Sequence, residues 1–452
     1  MPSAFVYLGI LLGVVIIWFV LMKRPVYEAI LLSFLVLLAV TGTWSHLWEF
    51  IDTGLSTSLL YSMTAFVAMS IVLTKTNILD GCIAIVLSVL GRIPGGAGYV
   101  AVVASAFMGA LSGSGPGNAM ATGAFTVPAM KKSGFPPELA ANIISNASYM
   151  GNMIPPSSNI VAALGAFTAL YPHLDMTMGQ FWIILWGISI WFIAQRLLMI
   201  FIFCKHYNIK AMDKEDLPSL KESLKTGWQG LLLPVVILLP FLLDYLFKDN
   251  FFTARLGATG AKYFSSSLLV FVPGVSTLFA CLISKDKRAI RPGNIIKMFA
   301  KGTKSIAPTV GVCLIGYMVG ALFAHMNVSE ELELFITTLK FGKLGMVLFI
   351  CVFTCFLGMV IPGSSLVVIF GPAFISTLAS VGVDPLLAAA MLPCICGVMC
   401  GITPPLGLGM YAGMSLTGSD FTKTFNNNLW WVGTQFLMQV IVLMGWLPIL
   451  GL

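Results

Sequence analysis

Apolar runs of about twenty residues recur along the chain, separated by short polar or basic segments. Runs of that length match the hydrocarbon thickness of a bilayer. They predict spanning helices near residues 4–22, 26–42, 56–74, 180–204, 229–247, 264–284, 305–326 and 430–450. Two runs, 137–170 and 385–416, are too long for one helix, and each is broken at a Pro-Pro pair, Pro155-Pro156 and Pro404-Pro405. Two more, 97–130 and 343–380, are interrupted near their middles by Ser112-Gly113-Ser114-Gly115-Pro116-Gly117-Asn118 and by Pro362-Gly363-Ser364-Ser365. Their arms are short for a crossing at about 14 to 18 residues, so they read as re-entrant hairpins. Such hairpins are tolerated where the turn is buried in protein or faces a water-filled cavity.

The two broken regions are built alike. Gly134-Phe135-Pro136-Pro137 leads to Ile154-Pro155-Pro156-Ser157, and Gly382-Val383-Asp384-Pro385 leads to Ile402-Thr403-Pro404-Pro405-Leu406-Gly407, 248 to 249 residues later. Paired breaks at matching places point to a secondary transporter with internal repeats and discontinuous helices. The predicted fold is an all-α polytopic membrane protein with about ten spans and two hairpins in an inverted repeat. It divides into scaffold helices (1–96), a first transport repeat (97–170) and further scaffold helices (171–342) holding a cytoplasmic connector (205–228). A second transport repeat (343–416) and a C-terminal scaffold helix (417–452) complete it.

Composition sharpens this picture. The chain is 58% hydrophobic and 10% charged, with a mean hydropathy of +0.95, whereas soluble domains carry charge on about 25% of residues. The net charge of +7 is therefore no nucleic-acid signal, because basic residues mark cytoplasmic loops. With the N-terminus outside, 19 of the 25 Lys and Arg fall on inside segments, leaving Lys248, Arg255, Lys262, Lys340 and Lys343 outside and Arg196 within a span. The same threading makes the first hairpin insert from the cytoplasm and the second from outside, as an inverted repeat requires. The run 4–22 precedes Lys23-Arg24 and lacks the flanks of a cleaved signal, so it reads as a true first span. The connector at 207–226 reads as a solvated, partly helical linker, and Ser329-Glu330-Glu331 as a capped helix start at the outer surface. Cys394, Cys396 and Cys400 read as packing residues.

The chemistry is expected at the four breaks. Each leaves a C-terminal end offering carbonyls, near Ser112, Met153, Ile361 and Ile402, and an N-terminal end offering N–H groups, near Gly117, Ser157, Ser364 and Leu406. Carbonyls suit a small hard cation, with Ser114, Ser157 and Thr403 hydroxyls as extra ligands. The amide ends suit a carboxylate. Between residues 97 and 170 the one carboxylate is Glu138, and between 344 and 416 it is Asp384; both sit at helix starts, where they cap. A proton carrier needs titratable groups in the membrane, so sodium held by neutral oxygens is the favoured coupling ion. Arg196 is either functional or snorkels to the cytoplasmic end. Asn142 and Asn146 either line a polar path or bond between helices.

At these motifs the chain resembles the large membrane subunit of tripartite ATP-independent periplasmic (TRAP) transporters. The matching residues are Ser112-Gly113-Ser114 through Gly123, Pro128-Ala129-Met130-Lys131-Lys132-Ser133-Gly134, Ile154–Ser157, Gly358-Met359 and Ile402–Leu408. Asn118 and Pro362 resemble the TAXI branch, whose binding proteins favour acids such as glutamate or 2-oxoglutarate. The resemblance implies a sodium-driven, elevator-type carrier in a bacterial or archaeal inner membrane, with both termini outside. It further implies a periplasmic binding protein that delivers an organic acid and a separate four-helix membrane subunit that braces the scaffold. Ser112, Ser114, Asn118, Ser157, Gly363, Ser364 and Thr403 are then expected to line ion or substrate, with Ser112, Ser114 and Thr403 as ion ligands. A stand-alone carboxylate carrier is the alternative. An intramembrane enzyme would need a nucleophile–base pair or a metal site, and HExxH is missing from the sequence. A channel would tolerate the hairpins, but its flux would neither saturate nor follow a coupling gradient.

Overall fold

The computed structural model describes residues 3–452 except 57, 77, 113–114, 156, 172, 175, 285–290, 329, 332–333, 335–337, 339–340, 360–362 and 405. Among the described residues every regular element is helical. The first part contains α1 (Ser3–Val15), α2 (Val26–Thr41), α3 (Leu47–Ser56), α4 (Ser58–Lys75) and α5 (Ile78–Leu90). The first predicted hairpin is α6 (Gly96–Ser112) and α7 (Gly115–Lys132), and the first broken helix is α8 (Pro137–Met150) and α9 (Ser158–Leu170). Then come α10 (Met178–His206), the short α11 (Leu220–Gly227), α12 (Leu233–Phe247), α13 (Thr253–Ile283) and α14 (Pro292–His325). The second hairpin is α15 (Lys343–Gly358) and α16 (Gly363–Ser380). The second broken helix is α17 (Pro385–Leu392), a π-helical turn over Pro393–Val398, α18 (Met399–Ile402) and, beyond the break, α19 (Leu408–Thr417). α20 (Phe421–Leu443) closes the fold.

Both second hairpin arms stop in the same way. Phe135 N–H donates to Met130 O (3.0 Å) and Gly134 N–H to Lys131 O (3.1 Å); Val383 N–H donates to Leu378 O (3.0 Å) and Gly382 N–H to Ala379 O (3.0 Å). Gly134 and Gly382 sit at φ +86° and +83°, the left-handed conformation that this helix-ending motif needs and that glycine adopts without a Cβ clash. Three residues later Pro137 and Pro385 occupy N1 of the next helices, where a missing N–H costs nothing. Asp384 caps its helix as expected, accepting from Leu386 and Leu387 N–H at 2.9 Å each. Glu138 lies in the first turn of α8 and makes no side-chain cap bond.

Burial separates centre from rim. The apolar window of Pro385–Ile402 is 89% buried and that of Gly363–Ser380 is 67% buried, against 28% for Leu220–Phe247 and 33% for Asn250–Ile283. The last two are apolar yet exposed, while the windows at 363–380 and 385–402 lie in the core. The repeats interleave: α8 packs on α19, and α9 packs on α16 and α17. α14 packs with α2, α3 and α4 on one side and reaches α16 on the other.

The connector is partly helical as expected, but it is docked rather than freely solvated. Lys132 pairs with Asp216, Lys210 N–H donates to Ser133 O at 3.3 Å, and Met212 N–H to Gly91 O at 3.1 Å. Gly81 and Gly227 let α5 and α11 touch backbone to backbone, since a Cβ on Gly81 would lie 2.7 Å from the Gly227 Cα. The helix start at Ser329 lies outside the described residues. α10 and α20 hydrogen-bond directly into the broken helices: Ser189 donates to Met153 O (3.1 Å) and Asn428 to Ile402 O (2.5 Å).

Candidate ion and substrate site

Ser112 is the last residue of α6. The Ser112 side chain and all of Ser114 lie outside the described residues. Asn118, in the first turn of α7, is fully buried. Its Nδ2 donates to Ser105 O (2.8 Å) on α6 and Ser148 O (2.9 Å) on α8, which ties three helices together. Gly109 permits this approach, because a Cβ there would stand 2.6 Å from both Asn118 Nδ2 and Gly151 Cα. The Asn118 Oδ1 is left without a partner, as are the buried Ser145 and Ser148 hydroxyls on α8.

Ser157 is the N-cap of α9, its buried Oγ accepting from Asn159 N–H at 3.3 Å. Thr403 ends α18, and its buried Oγ1 donates to Met399 O at 2.7 Å. Gly363 opens α16; its N–H donates to Cys400 Sγ (3.0 Å), and a Cβ there would stand 2.5 Å from the Gly397 Cα. Ser364 beside it is half-buried. The structure therefore brings Gly363 against the π-turn and Asn118 against α8, while Ser157 and Thr403 each hold their own break.

The broken carbonyl ends are not bare. Met153 O receives Ser189, Ile402 O receives Asn428, and Met359 O receives Leu406 N–H at 3.1 Å. An unpaired carbonyl is costly in a low-dielectric interior, so the protein supplies donors. Each carbonyl keeps a second lone pair. Asn142 donates to Thr424 O (2.8 Å) and to Asn427 Oδ1 (2.9 Å), and Asn146 to Asn428 Oδ1 (3.3 Å). Both asparagines thus bond between helices. Asn152, in the first break, donates to Gly397 O (3.0 Å) in the π-turn.

Tyr149 joins the two repeats. Gly115 at the start of α7, Gly401 before the second break and Gly409 after it all press on its ring, leaving no room for a Cβ. Sequence reading missed Tyr149, because a tyrosine in an apolar helix carries no local signal. It also missed the amide face of α20, Asn428, Gln435 and Gln439. Their spacing of seven and four residues was a helical-face signal that could have been read.

Cys394 and Cys400 do more than pack. Gln435 Nε2 donates to Cys394 Sγ (3.1 Å), and Cys400 Sγ donates to Gly397 O (3.3 Å). Arg196 lies beside Cys394. It does not snorkel: it is 1% exposed, its Nη1 donates to Gln195 Oε1 (2.5 Å), and its Nε and Nη2 have no partner. Among the described residues no three His, Cys, Asp or Glu side chains come together as a metal site.

A family model described as "Tripartite ATP-independent periplasmic transporter, DctM component" matches residues 6–450. The chain belongs to this family. It is 27% identical to the C4-dicarboxylate TRAP transporter large permease protein DctM of Vibrio cholerae, covering 86% of each chain. It is 26% identical to the 2,3-diketo-L-gulonate TRAP transporter large permease protein YiaN of Escherichia coli, covering 71% of this chain and 69% of the other. The sialic acid TRAP transporter large permease protein SiaM of Vibrio cholerae is 24% identical over 84% of this chain and 82% of its own. In fold the TRAP permease chain is similar to the YdaH transporter of Alcanivorax borkumensis, with a TM-score of 0.59, 15% identity, and 87% of this chain and 88% of that one covered. It is also similar to MtrF of Neisseria gonorrhoeae, with a TM-score of 0.61, 13% identity, and 91% and 86% covered. The chain is thus a large permease subunit of a TRAP transporter, a multi-pass inner-membrane protein and not an enzyme. Membership implies partnership with a small membrane subunit and a periplasmic binding protein. Of the two residues behind the TAXI-like resemblance, Asn118 serves as a tie between helices, and Pro362 lies outside the described residues.

Proposed function

We propose that this subunit carries out sodium-coupled uptake of an organic carboxylate delivered by a periplasmic binding protein, with a separate four-helix subunit bracing the scaffold. The observation that carries this reading is a set of buried neutral oxygens without partners, Asn118 Oδ1 on α7 and Ser145 Oγ and Ser148 Oγ on α8. The sequence places no acid in the repeats apart from Glu138 and Asp384 at helix starts. Neutral oxygen ligands fit sodium better than a proton. The relatives named for C4-dicarboxylates, 2,3-diketo-L-gulonate and sialic acid are named for organic acids, which suit the amide ends at Ser157 and Ser364.

In this reading Ser112, Ser114 and Thr403 hold the ion, and Asn118, Ser157, Gly363 and Ser364 shape the space for ion and substrate. The two repeats move as one body, because the Asn152–Gly397 bond and the packing of Gly401 and Gly409 on the Tyr149 ring bind them to each other. The caps from α10 and α20 make those helices travel with the repeats, past the framework around α14. This is an elevator motion. The test is uptake by proteoliposomes containing the permease and its small subunit, with the binding protein outside. Uptake that requires both an inward sodium gradient and the binding protein is the expected result. Equal uptake without the binding protein would instead indicate a stand-alone carrier, and a proton-driven signal would overturn the choice of ion.

A further inference from the structure

A cavity of about 430 Å³ lies between helices of the two repeats and the framework, away from the breaks. Tyr317, Gly320 and Ala324 of α14 line one wall, Gly165, Ala166 and Ala169 of α9 another, and residues 368–373 of α16 a third. The volume falls within the range of pockets that hold small molecules, about 300–1,000 Å³. None of the described lining residues is charged. Thr168 meets its own helix, donating to Gly165 O at 3.2 Å. The Tyr317 hydroxyl, by contrast, is buried and has no partner. An unpaired buried hydroxyl is costly and asks for an acceptor. Space for a ligand is real at Gly320, where an added Cβ would meet nothing within 4 Å. Two of its lining residues, Ala169 and Ala324, are exposed.

We propose that this cavity binds a neutral fatty-acyl ester, its chain along the alanine and glycine walls and its carbonyl accepting from the Tyr317 hydroxyl. A charged amphiphile is disfavoured, since no Lys or Arg is available among the described lining residues. A sugar or an amino acid is disfavoured because Thr53 and Thr168 already donate to their own helices, at 2.9 and 3.2 Å, and the three lining hydroxyls would leave most of its polar groups unpaired. The walls come from α9 and α16 on one side and α14 on the other, so the ester sits at the seam between the repeats and the framework.

The test uses the purified full chain and the methyl ester of palmitic acid bearing a mid-chain diazirine, followed by peptide mapping after photolysis. Labelling of segments 162–170 and 316–324 is expected. Gly320→Leu fills open space and should leave the melting temperature near that of the parent while lowering this labelling about tenfold. Tyr317→Phe should lower it several-fold, and Ala169→Phe, at an exposed lining residue, serves as a second blocking variant. Labelling at the exposed Leu242 and Leu243 of α12 should not change in any variant. Equal labelling of the cavity segments in parent and folded blocking variants, or labelling confined to the outer face of α12, would overturn the proposal.

Discussion

Asn428 donates its Nδ2 to the carbonyl of Ile402 at 2.5 Å, at the point where the second broken helix loses its own donors. Ser189 does the same for Met153 in the first break, at 3.1 Å. The two donors come from α10 and α20, the helices that follow each repeat. The breaks are thus held open by designated side chains, so they persist without bulk water and do not close into continuous helix.

Asn428→Leu should lower stability by about 1–3 kcal/mol, the usual result of leaving a buried acceptor unpaired. Thermal unfolding of the purified protein in one detergent checks this. A melting temperature equal to that of the parent would mean another donor serves Ile402.

Gly401→Ala should destabilise by about 1–3 kcal/mol through overpacking against the Tyr149 ring. Gly433 sits inside α20 with nothing near its Cβ position, so Gly433→Ala should be neutral or raise stability by about 0.4–1 kcal/mol. Combining Gly401→Ala with Tyr149→Leu should recover part of the loss, because the clash partner is removed. Additive losses would place the strain elsewhere.

Ser157→Ala removes the N-cap of α9 and should cost about 0.5–2 kcal/mol, while Ser157→Thr should retain most of the stability. Limited proteolysis at the first break, compared between the two variants, reports the same ordering. Equal behaviour of both variants would show that the cap is not what holds the break.

The break positions were legible in the sequence because Pro-Pro pairs and Gly-Ser tips act locally. Gly134 and Gly382, each three residues before an N1 proline, announced matching helix ends. What escaped was tertiary. Asn142 meets Thr424 and Asn152 meets Gly397 across more than two hundred residues, and no local pattern encodes such pairs. The π-turn at 393–398 also left no clear mark, since Pro393 alone predicts a kink but not the widened turn that Gln435 and Gln439 stitch. Arg196 misled for a different reason: its distance from the helix end allowed snorkelling, and only tertiary burial, which leaves it 1% exposed, decides that it stays inside.

Ser364→Ala should weaken sodium binding while leaving stability in potassium chloride unchanged, because the half-buried Ser364 lies at the tip of the second hairpin and not in the packed core. Sodium titration followed by intrinsic fluorescence of the parent and the variant checks this. Identical midpoints would remove Ser364 from the site.

In the proposed function, buried neutral oxygens of the repeats hold sodium. The most direct measurement is the melting temperature of the purified chain in sodium chloride and in potassium chloride at equal ionic strength. A ligand that binds only the folded state stabilises it by about 2.7 kcal/mol at 100 times its dissociation constant, so a rise specific to sodium and saturable with its concentration is predicted. Superimposable melts in the two salts across the full concentration range would contradict the sodium site.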